Sequence, residues 1–220
     1  MSQVTVHLLR HGEVFNPDGV LYGRLPEFHL SERGRAMAVL VAEHFATLAT
    51  RGAAPVYLVA SPLTRAQETA QPTAEALGLD IVTDPRIIEA ENHFEGLVMS
   101  PAELRKPKHW PYFVNPFKPS WGEAYSAQAE RMLAAARDAR RRAFELGGDG
   151  AQAIMVSHQL PIWSTRRSAE GQRLWHDPRN RECTLASLTS LTFDGDDVID
   201  VVYSEPAAEL LPGAATTPGA

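Results

Sequence analysis

The chain predicts an α/β fold, a three-layer α/β/α sandwich around a largely parallel central sheet. Short β-rich runs alternate with longer segments of helical periodicity, the order that builds such layers. "AIMVS" is uninterruptedly apolar, as a strand covered on both faces would be. With 220 residues, 44% of them apolar and 22% charged, one substantial core can close.

"VTVHLL" is the first expected strand. Ser31 then opens the helix "SERGRAMAVLVAEHFATLA", whose apolar residues recur at helical spacing. "VYLVA" is the second strand. Ser61 as N-cap and Pro62 at the first helical position start "PLTRAQETAQPTAEALG", which Gly78 ends. Pro72 lacks the N–H its turn requires, so an interruption or kink is expected there. A short strand around "DIVT" follows. Residues 97–121, "LVMSPAELRKPKHWPYFVNPFKPSW", are rich in proline and aromatics and predict a lid. Trp110, Tyr112, Phe113, Phe117 and Trp121 serve either lid packing or substrate stacking. A long helix over 122–146 stops at "GGDG", "AIMVS" is the next strand, and "LASLTSLTF" with "VIDVVYS" forms a closing hairpin. One domain is expected over 1–204, with 205–220 as a disordered tail.

Bulk properties exclude some functions. A net charge of −6 disfavours affinity built on neutralising many nucleic-acid phosphates. No run approaches the roughly 18 apolar residues that span a bilayer. The start of the chain has no signal-peptide pattern, and the single cysteine, Cys183, forms no internal disulfide and fits a reducing compartment. The expected location is the cytoplasm, without nucleic-acid or membrane partners; oligomeric state is left open.

Ligands in open α/β sheets bind beyond the carboxyl ends of the strands. Arg10 and His11 follow the first strand, Ser61 and Arg65 the second, and Ser157 and His158 the strand "AIMV". Two arginines and two histidines could thus converge on one pocket, a phosphate cradle, because guanidinium forks match phosphate oxygens in geometry and charge. Arg65 near a helix N-terminus is electrostatically misplaced unless an anion is bound there. No His, Cys or carboxylate cluster has metal-ligand spacing, and no cofactor is expected. Arg137, Arg140, Arg141 and Arg142 read as the solvated face of the long helix.

"LLRHGE" with Asn16, "SPLTRAQETA", "IIEAENHFEG" and "VSHQLP", in that order, resemble the signature blocks of the histidine phosphatase superfamily, the phosphoglycerate mutase-like phosphatases. The resemblance implies that His11 is a nucleophile forming a phosphohistidine, with Arg10, Arg65 and His158 holding the phosphoryl oxygens and Asn16 adding a neutral donor. It makes Glu89 the general acid, with Glu91 as the alternative because the spacing to "FEG" is one residue short. Gln159 stands where the family usually has glycine, beside the phosphate. Glu13 is expected to support an arginine, and Arg24 to meet a second substrate anion. The implied activity is metal-independent hydrolysis of a small phosphorylated substrate. Its rivals are a phosphoglycerate mutase, disfavoured because "EAENHFEG" replaces the mutases' E-R-H-Y-G, and a phospho-ligand binding module without turnover.

Overall fold

A computed structural model describes residues 3–115 and 119–215. The first strand, β1 (Gln3–Arg10), leads to helix α1 (Glu32–Thr50), then β2 (Pro55–Ala60), α2 (Thr64–Leu77) and β3 (Ile81–Thr83). After a short helix α3 (Pro101–Leu104) come α4 (Tyr125–Gly147), β4 (Gln152–Ser157), α5 (Gln159–Ala169) and the hairpin β5 (Leu188–Asp194) and β6 (Asp197–Ser204). The six strands lie in the order β3-β2-β4-β1-β5-β6. β3, β2, β4 and β1 are mutually parallel, and β5 and β6 are antiparallel at the β1 edge.

Strand period 2 divides β1 between two cores. Val4, Val6 and Leu8 pack with Met155, Met132, Ala136 and Ile162 on the α4 and α5 side. Leu9 packs with Met37, Val41, Phe45 and Ala70 on the α1 and α2 side. Helices on both faces leave the strand ends as the place where the chain can put polar groups without burying them unpaired. Gly12 lets the chain leave β1 against α1: a Cβ there would collide with the carbonyl of Gly34.

Four local expectations change. α2 begins at Thr64 with Leu63 as N-cap, so Pro62 lies outside the helix. Ser61 instead bonds across the sheet, as described below. α2 runs through Pro72 without a break, because a proline removes one ladder bond and the helix is held by Ala66, Ala70 and Ala74 in the core. α4 starts at Tyr125, three residues later than expected. The expected disorder of 205–220 does not hold for 205–215. Ala207 is buried, Leu210 and Leu211 pack on the α1 and α2 core, and the Ala215 N–H donates to Glu13 Oε1 at 2.8 Å. Residues 216–220 lie outside the described residues.

Within 97–121 the structure has α3 and a 3-10 turn, Pro107–Phe113. His93 stacks on Tyr112 with ring centroids 3.4 Å apart, and Phe94 on Phe113 at 5.4 Å. Phe117 lies outside the described residues. No helix among the described residues is long and apolar enough to cross a membrane.

Candidate active site

Parallel register brings three strand ends together. Arg10 pairs with Ser157, and Ala60 with Val156. One residue further on, the His11 N–H donates to the Ser157 carbonyl at 3.1 Å and the Ser61 N–H to the Val156 carbonyl at 2.9 Å. His11, Ser61 and His158 therefore lie side by side, and the two imidazole centroids are 5.2 Å apart.

The bond the His11 ring makes settles its tautomer. A carbonyl only accepts, so the 2.8 Å contact from His11 Nδ1 to the Gly12 carbonyl puts the proton on Nδ1. Burial, with Arg65 and Arg10 close by, holds the His11 pKa well below its ordinary value. The ring is thus neutral, and Nε2 carries a free lone pair. His158 Nε2 lies 2.7 Å from Ser61 Oγ, which already accepts from the Leu63 N–H at 3.4 Å. The His158 Nδ1 is buried and without a partner among the described residues. Burial and neighbouring Arg65 keep this histidine neutral too.

Arg65 is the second residue of α2 and is 1% exposed. Its Nη2 donates to the Gly23 carbonyl, and its guanidinium stands 4.6 Å from the centroid of the Tyr22 ring. Nε and Nη1 have no partner among the described residues. Two buried guanidinium donors left this way are costly unless an acceptor meets them. Arg10 Nη1 donates to the Cys183 carbonyl at 2.8 Å. Two cationic side chains and a second imidazole lie close to the His11 ring, which carries the lone pair, an arrangement suited to a tetrahedral oxyanion.

Glu89 enters after the 3-10 turn Pro85–Ile87. Its Oε1 accepts the Ala90 N–H at 2.7 Å, and burial raises its pKa against the opposing pull of that bond and of Arg65, Arg181 and Arg10. Glu91, by contrast, has a side chain 69% exposed and paired with Arg24 at 2.7 Å. Environment separates the two carboxylates where spacing does not.

Several expected residues are occupied elsewhere. Asn16 spends its amide on Val20, donating to the carbonyl at 2.9 Å and accepting the N–H at 3.1 Å, which closes the loop after His11. Arg24 donates to the Glu89 carbonyl (2.7 Å), Glu91 and Glu123, so it holds the acid's backbone instead of standing free for a second substrate anion. Gln159 Nε2 donates to the Cys183 carbonyl at 3.2 Å, the carbonyl Arg10 also uses. Glu13 accepts from Ser31 Oγ and the Ala215 N–H, and the arginine it pairs with is Arg33, at 3.8 Å. On α4, Arg137 donates to the Asp196 carbonyl and Arg142 to Glu145.

Sequence reasoning missed three contributors. Tyr22 is 2% exposed, its hydroxyl has no partner among the described residues, and burial pushes its pKa up to about 12. Arg181, whose burial lowers its pKa, donates to His176 Nε2 at 2.9 Å and lines a cavity with Glu89. Thr69 Oγ1 accepts the Gly12 N–H and donates to the Arg65 carbonyl, tying the histidine loop to α2. Tyr22 stands in a loop segment with no periodicity to mark it. Arg181 had no signal at all, since its loop carries no periodicity.

Among the described residues no three His, Cys, Asp or Glu side chains gather as a metal-binding group.

The chain is 52% identical over 209 residues to an uncharacterized protein of Mycobacterium tuberculosis strain H37Rv, covering 94% of this chain and 98% of that one. Phosphoserine phosphatase 1 of Hydrogenobacter thermophilus is 29% identical over 164 residues, 72% of each chain. The solved structure of mycobacterial hydrolase 2 superposes with a TM-score of 0.71 at 25% identity, over 93% of this chain and 89% of that one. That of mycobacterial glucosyl-3-phosphoglycerate phosphatase gives 0.69 at 24%, over 92% and 96%. Residues 6–204 match the histidine phosphatase superfamily (branch 1), and with strand ends, histidines and arginines placed as above, this chain belongs to that family.

Proposed function

We propose that the protein is a phosphomonoesterase that works through a phosphohistidine on His11 and needs no metal. The observation that carries this reading is the His11 tautomer: Nδ1–H is held by the Gly12 carbonyl, so Nε2 keeps its lone pair as a neutral nucleophile with Arg65 and Arg10 close by. Phosphoryl transfer is the reaction of the family; hydrolysis is the finer step proposed here.

In the first half-reaction Nε2 attacks phosphorus as the bond to the substrate alcohol breaks. Glu89, whose pKa burial raises, gives its proton to the departing oxygen. Arg10, Arg65 and His158 meet the charge spread over the equatorial oxygens. In the second half-reaction Glu89, now a carboxylate, takes a proton from water as the water oxygen attacks phosphorus. The P–N bond breaks, inorganic phosphate leaves and His11 is neutral again. Hydrolysis over mutase chemistry is supported by the exposed edge of the Glu89 cavity and the absence of the mutase block after Glu89. The relatives described as phosphatases point the same way.

The test is turnover in labelled water with excess chelator. Label in inorganic phosphate, and none with His11→Ala, is expected. Predominant transfer of the phosphoryl group to an added glycerate phosphate would make the protein a mutase. Undiminished activity in His11→Ala would refute the mechanism.

A further inference from the structure

Glu89 opens on a cavity of about 500 Å³, within the size range of small-molecule sites. Its walls include Leu21, Phe94, Met99, Phe113, Trp121 and Leu160. Met99 and Phe113 are 37% and 43% exposed, apolar surface held in water beside the acid.

Most polar side chains of this wall already hold a partner through at least one atom. Glu91 and Glu123 are both held by Arg24. Asn92 Oδ1 accepts the Phe94 N–H at 3.0 Å, Gln159 donates to Cys183, and Arg181 to His176. A substrate rich in hydroxyls would give up water here and find few free partners, whereas an apolar body would cover exposed carbon. The neighbouring cavity, about 370 Å³, carries Arg10, Arg179 and Arg181. Arg181 lines both cavities, whereas Arg10 and Arg179 line only the smaller one and Phe94, Met99, Phe113 and Trp121 only the larger.

We propose that the alcohol part of the substrate is an apolar, ring-bearing or branched body seated among Met99, Phe113, Trp121 and Leu160, not a sugar, sugar acid or amino acid. The inference deepens the phosphatase reading and rests on its placement of the phosphoryl group beside His11 and the leaving oxygen beside Glu89. Phe113 and Trp121 then serve as substrate surface, while Tyr112 packs the lid on His93.

The experiment is calorimetric titration of the wild-type protein with phosphonates, which bind without turnover. A straight-chain alkylphosphonate series and benzylphosphonate are compared with the phosphonate analogues of phosphoserine and 3-phosphoglycerate. Affinity is expected to rise by about fourfold per added methylene until the cavity fills. Benzylphosphonate should bind at least about tenfold tighter than either polar analogue. The double variant Met99→Ser, Phe113→Ser, made at partly exposed positions, should flatten the slope. A flat wild-type series, or polar analogues that bind as well as benzylphosphonate, would overturn the substrate class and leave the phosphatase reading standing. Conversely, a steep series without hydrolysis of p-nitrophenyl phosphate would support the apolar site and refute turnover.

Discussion

Replacing Glu89 by glutamine removes one transferable proton and little else. The amide oxygen can still accept the Ala90 N–H that Oε1 holds at 2.7 Å. The backbone stays anchored by Arg24 on the Glu89 carbonyl. General acid catalysis contributes about 10²- to 10⁴-fold, about 2.7–5.4 kcal/mol of barrier. Hydrolysis of an alkyl monoester, whose alkoxide needs a proton to leave, should therefore fall by about that factor in kcat/KM. With p-nitrophenyl phosphate, whose phenolate leaves unaided, the loss should stay within about tenfold, about 1.4 kcal/mol. The pH profile adds an independent check. Burial raises the Glu89 pKa, so its protonated form persists to higher pH, and alkyl-ester activity falls as pH rises through that value. The lowered His11 pKa keeps the nucleophile neutral on the acid side. The alkaline limb should vanish in Glu89→Gln. Glu91→Gln, at an exposed position paired with Arg24, is the control and should stay within about tenfold on both substrates. Equal losses on both ester types in Glu89→Gln, or the leaving-group dependence in Glu91→Gln instead, would refute the assignment.

Three further outcomes are expected. Arg65→Lys keeps a charge but loses the fork that leaves Nε and Nη1 available, so kcat/KM should drop by about 10²- to 10³-fold with unchanged far-ultraviolet circular dichroism. His7 is buried with its pKa lowered to about 4, Nδ1 on Ser190 and Nε2 on Gln152. The unfolded chain takes up a proton near pH 6.5 that the folded one refuses until about 4, so stability falls as pH drops through this window, by up to about 3 kcal/mol from this group. Urea titrations at pH 7 and 4.5 should show a smaller difference for His7→Gln than for wild type. Removing residues 205–220 should cost about 2 kcal/mol, read as a lower urea midpoint, because Ala207 is buried and Leu210 and Leu211 pack on the core; an unchanged midpoint would show the tail to be dispensable.

The sequence by itself determined the layers and the strand ends. Apolar runs of period 2 and helices of period 3.6 are local properties of a chain, so β1, α1, β2, α4 and β4 were legible, and with them the addresses of His11, Arg65 and His158. Only the tertiary structure decided what those side chains face. The His11 tautomer depends on a carbonyl one residue away, and the His158 ring finds its partner in Ser61 across the sheet. Spacing could not rank Glu89 against Glu91, because the difference between them is burial and the reach of Arg24. Asn16, Arg24 and Gln159 carry groups fit for an anion, yet each found a partner in Val20, Glu89 or Cys183, since a partly buried polar group bonds to whatever the fold brings nearest. Arg181 and the returning segment 205–215 were invisible for the same reason: their roles come from contacts between parts of the chain far apart in sequence, and no local period encodes such contacts.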